Sequence, residues 1–388
     1  MSARDPVVTG IGLLSCLGEG VEPHRSLLEN GPGNPVVDTE RFAPYSVHPL
    51  PEVDWSGQIP RRGDQRQMET WQRIGTYAAG LALADAGLNG NEELCGSMDM
   101  IVAAGGGERD VSVDSLIIEA AADRNDREVL INEKLTTELR PTLFLAQLSN
   151  LMAGNISIVH KVTGSSRTFM GEESAGISAV QTALARIRAG QSTHALLGGA
   201  LNTEHPDMLL NFELGGFLHR GAWSPVWDRR DAKGGGVITG SGGAFLVVEA
   251  REHAQKRSAK TYAALGTVVS RHTKSDGDEL VAAIAAMAKD AGAADLVISA
   301  ASGAPARTDA EAKALAHLPL RGFSSLTGTL KEAQLPFAIA LAALAIDGGK
   351  PVRPFAADEM EAGIAPEAVL ATTIGYAGAE GMVRVTSA

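Results

Sequence analysis

Short apolar runs separated by helical patterns recur along the whole chain, and that alternation restricts the fold more than any other feature. VVTGIGLL (7–14) reads as a strand, TWQRIGTYAAGLALADAG (70–87) as a helix and MIVAAGGG (100–107) as a strand. Further on, HALLGGA and GAFLVVEA read as strands, LVAAIAAMAKDAG as a helix, LVISAAS as a strand and AQLPFAIALAALAIDGG as a helix. ATTIGYAG and MVRVTS close the chain as a hairpin. Alternation of this kind calls for a sheet with parallel strands and helices on its faces, so the fold class is α/β.

At 388 residues the chain is too long for one ordinary core, and two α/β halves are expected, residues 1–245 and 246–388. A polar insertion at about 108–140, charged and helical in pattern, reads as a solvated cap or as a dimer or substrate lid. The 44 glycines and the aromatic content of only 4% argue for tight turns and close packing rather than a β-sandwich. Two cysteines, Cys16 and Cys95, stand in no metal-like spacing, so neither a disulfide framework nor a metal site is expected. MSARDPVVTGIG lacks a basic and then apolar leader pattern, which points to the cytoplasm. The longest apolar stretch, Pro336 to Ile346, is about half of the ~20 residues of a membrane helix and reads as a buried helix. A net charge of −12 argues against a nucleic-acid partner.

Five segments in order, from Val7 to Glu380, resemble the β-ketoacyl-acyl-carrier-protein synthases of the thiolase superfamily. VVTGIGLLSCLGEG resembles the opening strand and turn, and LSNLMAGNISIVHKVTG the helix and turn before the nucleophile strand. SPVWDRRDAKGGGVITGSGGAFLVVE resembles the family's Pro-Phe-Asp…Arg-Asp-Gly…Gly-Glu-Gly block. Phe323 to Thr329 is similar to the segment with the catalytic lysine and second histidine, and Ile374 to Glu380 to the closing glycine-rich loop. The resemblance implies a thiolase fold, five layers αβαβα from two βαβαβαββ halves, and a twofold dimer.

The resemblance also implies where chemistry should sit. The family's cysteine nucleophile, activated by a helix N-terminus, falls at Glu173, because Gly171-Glu-Glu-Ser-Ala-Gly176 stands for Thr-Ala-Cys-Ala-Ser-Gly. The first histidine falls at Ala300, the second at Thr329 and the lysine at Ser324, so all four groups are replaced. Gly375 and Tyr376 stand where the family has a gating Gly-Phe. The stretch from Tyr262 to Asp295 is shorter than the family's, which puts carried-over substrate contacts in doubt.

Other candidates have plain readings. Ser174 is not in a GxSxG turn, since Glu172 takes the first glycine's place, and a cap or packing role is expected. His160, His194, His205, His219 and His317 lack metal spacing. Gly234 to Gly243 lacks the P-loop pattern and reads as tight turns. Arg61, Arg62 and Arg66 match a basic segment that docks acyl carrier protein in the family, against a solvated turn.

The resulting expectation is a non-catalytic subunit, similar to polyketide chain-length factors, that shapes the acyl tunnel of a Cys-bearing synthase. Those factors commonly carry glutamine where this chain has Glu173. A very-long-chain fatty acid system for lipid A is a second pathway that the resemblance admits. Substrates would arrive on the phosphopantetheine of acyl carrier protein, with no cofactor bound, in a homodimer or heterodimer. The alternatives are a condensing or decarboxylating enzyme using Glu173 and a module that binds acyl carrier protein or lipid.

Overall fold

The computed structural model describes residues 2–139, 144–145, 147–232 and 235–388. Arg140 of the expected insertion and Gly234 of the glycine-rich stretch lie outside the described residues. Ten principal strands form one mixed sheet. They are β1 (Pro6–Ser15), β2 (Asp99–Ala103), β3 (Ser166–Phe169), β4 (His194–Leu201) and β5 (Gly242–Ala250), then β6 (Ala263–His272), β7 (Leu296–Ser299), β8 (Leu320–Gly322), β9 (Ala368–Ile374) and β10 (Ala379–Thr386).

The spatial order is β8-β7-β9-β10-β6-β1-β5-β4-β2-β3, and it contains the same arrangement twice. In the first set β2 pairs in parallel with β3 and β4, β4 is antiparallel to β5, and β5 is antiparallel to β1. In the second, β7 pairs in parallel with β8 and β9, β9 is antiparallel to β10, and β10 is antiparallel to β6. The sets meet where β1 and β6 pair antiparallel at Val7↔Ala264 and Val8↔Ala263. β5 runs unbroken across the expected boundary at 245/246, because GGAFLVVEA is a continuous buried run between two neighbours. The repeat in strand order changes between β5 and β6, so residues 246–250 go with the first half.

Helices α1 (Thr70–Asp85) and α2 (Leu151–His160) cover the outer face of the first set, where Trp71, Ile74 and Met152 pack on Met100, Leu196 and Phe245. On the outer face of the second set, α4 (Asp278–Ala291) and α5 (Pro305–Ala314) bury Leu280, Ile284 and Met287 with Leu370 and Met382. Between the two inner faces lie α3 (Glu173–Arg188) and α6 (Gln334–Gly348), with Val180 and Leu184 packed in one cluster with Phe337 and Leu341. This is the αβαβα layering of the thiolase fold. Every residue of α6 from Gln334 to Ile346 is buried, which is why its sequence is apolar on all sides. Among the described residues no helix is long and apolar enough to cross a membrane.

Two opening glycines are dictated by this packing. A Cβ on Gly12 would stand 1.9 Å from the Ala78 carbonyl oxygen, and one on Gly10 2.3 Å from that of Ala82, so α1 rests directly on the β1 backbone. The insertion begins differently from expectation. Glu108 is buried and accepts the Trp71 N–H at 3.0 Å and the Asn202 amide at 2.8 Å. Only beyond it do the two largely exposed helices Val111–Ala121 and Arg127–Thr137 follow.

Candidate functional site

After β3 the chain turns through Gly171, whose φ of +144° suits glycine, and enters α3 with Glu172 as N-cap and Glu173 as the first helical residue. Glu173 is 1% exposed. Its Oε1 accepts the Tyr376 N–H at 3.2 Å, while Oε2 is buried without a hydrogen-bond partner. Gly375 is required here, since a Cβ would lie 2.9 Å from the Glu173 carboxyl. Burial pushes the carboxyl up to about 8, against the pull of its own and Tyr376's backbone N–H; Glu332 adds to the rise and Arg307 opposes it. Near neutral pH the group is therefore mostly a neutral acid.

A second carboxyl shares this interior. Glu332 is 1% exposed, and burial pushes it up to about 7 against the pull of the Lys331 ammonium 3.7 Å away and of its own backbone N–H. The Gly105 backbone makes room for it, as a Cβ there would come within 2.3 Å of Glu332 Oε1. Lys331 also pairs with the partly exposed Glu172 at 2.9 Å. Glu172 in turn accepts a hydrogen bond from the Tyr376 hydroxyl. The Tyr376 ring packs between Phe212 and Phe217, with centroids 5.2 and 4.7 Å away.

Of the other positions that the resemblance singles out, Ala300 and Ser324 share the Gln334 amide, and Thr329 lies in the segment leading to it. Ala300 follows β7, Ser324 opens the short helix Ser324–Thr327, and both are buried with Thr329. The Gln334 Nε2 donates to the Ala300 carbonyl at 3.1 Å and to Ser324 Oγ at 3.2 Å, and its Oε1 accepts the Leu330 N–H at 2.8 Å. Thr329 Oγ1 donates to the Ser302 carbonyl at 3.1 Å. The segment Thr329 to Gln334 thus runs from this cluster to the carboxyl pair. None of the side chains of Ala300, Ser324 and Thr329 can ionise to protonate or polarise a carbonyl as an imidazole or ammonium would.

Glu173, Gly375 and Tyr376 therefore form one group, and Ala300, Ser324 and Thr329 another joined to it. Arg61, Arg62 and Arg66 lie elsewhere, exposed on and before the helix Arg62–Arg66 that leads to α1. Ser174 is exposed. His160, His194 and His219 bond backbone carbonyls of Thr76, Leu94 and Ala222, His205 caps the helix Pro206–Leu214, and His317 is exposed. Among the described residues no group of three or more His, Cys, Asp or Glu could hold a metal ion.

Sequence reasoning passed over Lys331, Glu332 and Gln334, and took Glu172 only as the residue that breaks a GxSxG turn. A signal was present, for LKEAQLPF places two charges and an amide at the head of a wholly apolar run, where polar groups must find a partner or shift their ionisation.

Comparison with known proteins gives the family. The family profile described as "Beta-ketoacyl synthase, N-terminal domain" matches residues 4–254. The chain is 30% identical over 377 residues to the tetracenomycin polyketide synthase ketoacyl synthase beta subunit of Streptomyces glaucescens, covering 89% of this chain and 87% of that protein. It is 28% identical over 277 residues to 3-oxoacyl-[acyl-carrier-protein] synthase 2 of Vibrio harveyi, covering 68% of this chain and spanning 62% of that protein. Among solved structures, the ishigamide ketosynthase/chain length factor has a TM-score of 0.76 at 22% identity, with 100% of both chains covered. A beta-ketoacyl synthase from Burkholderia phymatum has a TM-score of 0.79 at 21% identity, with 99% of both covered. By the profile over most of its length and by the near full-length match to the Streptomyces protein, the chain belongs to the beta-ketoacyl synthase family.

Proposed function

We propose that this chain is a ketosynthase-like subunit that does not itself condense acyl groups and that shapes the acyl tunnel of a Cys-bearing synthase. The observation that carries the reading is the state of the nucleophile position. Glu173 is a buried acid whose own oxygen takes up the Tyr376 N–H that would otherwise be available to a substrate oxygen. A carboxylate that attacked a thioester would give a mixed anhydride, not an acyl thioester held for condensation. Ala300, Thr329 and Ser324 supply no ionisable group to activate an extender unit.

Two relatives support a paired role, one named a ketoacyl synthase beta subunit and the other a ketosynthase/chain length factor. The edge strand β3 supports it too, being unpaired on one side among the described residues, with Met170 directly after it 68% exposed and Ile158 of α2 57% exposed. Substrates in this reading arrive on the phosphopantetheine of an acyl carrier protein that docks at Arg61, Arg62 and Arg66, in fatty acid or polyketide synthesis. A further neighbouring structure is described as a type II polyketide acyl-carrier protein in complex with its ketosynthase.

The test is co-expression with a Cys-bearing synthase from the same source. Co-purification, with a product length that changes when this chain is exchanged for a homologue, is the expected result. A synthase that gives the same products with and without this chain would reject the proposal.

One observation favours a second reading. Two buried carboxyls pushed to about 8 and about 7 lie in the range suited to proton transfer near neutral pH. An enzyme working this way would act without a partner and lose activity in Glu173→Gln.

A further inference from the structure

We infer that a pit on the outer face of the second strand set, between α4 and the end of α5, binds a small monocarboxylate with an apolar body. The pit shares no residue with the Glu173 site, and the inference does not rest on the proposed function.

The pit follows from the pattern of side-chain sizes along α4. Leu280, Ile284 and Met287 recur at helical intervals and pack on the sheet. On the neighbouring stripe stand Ala285, Ala288 and, just past the helix end, Gly292, at the spacing that puts residues on one face. The partner helix α5 packs against α4 and ends at Ala314. Short side chains on both sides leave a gap that closely packed helices would otherwise fill. Its volume is about 460 Å³, enough for a small molecule, and the buried Leu370 of β9 forms part of its lining.

Charge decides what such a gap can hold. The exposed Lys289 and His317 belong to the same lining, and among the described residues neither has an ion pair or a hydrogen bond. No carboxylate lines the pit among the described residues. The acids nearest in sequence are already engaged, for Asp290 pairs with Arg271 at 3.8 Å and Asp295 accepts the Glu367 and Ala368 N–H at 2.9 and 3.0 Å. Arg384 adds a third cation behind the wall. Its Nε donates to the Ala293 carbonyl at 2.6 Å, and a Cβ on Gly292 would lie 3.3 Å from its Cδ. That bond also satisfies a carbonyl just beyond the end of α4, where an unpaired carbonyl would repel an anion. In a chain of net charge −12, an apolar pit with cations at its rim and no acid selects a negative ligand. A bare phosphate would leave the alanine and leucine walls unmatched, and a neutral hydrocarbon would leave the cations unused. A carboxylate on an alkyl body uses both.

Octanoate is the probe. Calorimetry on the full chain should give saturable binding with a Kd of about 1 mM or lower. A diazirine-bearing octanoate analogue, irradiated with the chain and mapped by peptide mass spectrometry, should label residues within 285–294 or 314–318. Excess octanoate should suppress that label, and octylamine, with the same body and the opposite charge, should not. Lys289→Met, which keeps the stem and removes the charge, should weaken octanoate about tenfold. Ala288→Phe, which fills the pit, should abolish binding with the melting temperature kept; if that variant does not fold, Lys289→Met at its exposed position carries the test. A label confined to other segments, equal suppression by octylamine, or unchanged affinity in Lys289→Met would each overturn the inference.

Discussion

A carboxyl group buried at the first turn of a helix is a stability term that depends on pH. The folded-state value of Glu173, about 8, lies above the ordinary carboxyl range, so the folded protein holds a proton that the unfolded chain has released. Its contribution is fully present below the unfolded value and is lost as pH rises from about 4.5 through about 8. Glu173→Gln, which cannot ionise, should match the parent at pH 4.5 and exceed it by about 3 kcal/mol at pH 8, read by urea unfolding at both. A greater parent stability at pH 8 would show that the carboxylate has a partner this account lacks. Gln334 makes a second case. Gln334→Met leaves the Leu330 N–H and a buried carbonyl without their bonds and should cost about 2–4 kcal/mol. At this scale the sequence made Glu173, Ala300, Ser324 and Thr329 stand out by resemblance, since they lie in segments whose order and spacing are readable. It did not show Glu332 or Lys331 as site residues, because nothing local in LKEAQ says which charges face inward.

At the scale of elements, close backbone contacts carry much of the specificity. Gly12→Ala should cost about 3 kcal/mol or prevent folding, because α1 has no space to retreat from β1. Gly63→Ala, with nothing within 4 Å of the added carbon, should stay within about 0.5 kcal/mol. Thermal unfolding of the two variants checks the contrast. Most elements were legible because their patterns are clean, as in the all-apolar α6 and the closing β9–β10 pair. The boundary between halves was less so, because β5 is buried throughout and gives no sign of where one half stops. The double strand order was implied by the resemblance rather than by local pattern, since pairing between residues distant in sequence leaves little local trace. Glu108 shows the same limit, being a charged residue at the start of a polar stretch that turns inward to bond α1 and Asn202.

At the scale of the molecule, the thiolase fold is kept whole, and the proposed role is that of a subunit that does not itself condense acyl groups. If the β3 edge receives a partner, Ile158→Glu with Met170→Glu should reduce co-purification with a Cys-bearing synthase by about tenfold while leaving the melting temperature unchanged. Equal recovery would place the partner elsewhere. The most direct measurement is condensation by the purified chain alone, supplied with acyl- and malonyl-carrier proteins, with mass spectrometry of the phosphopantetheine-bound products. The account predicts no elongated product. An elongated product that disappears in Glu173→Gln would contradict it and make that carboxyl part of a working active site.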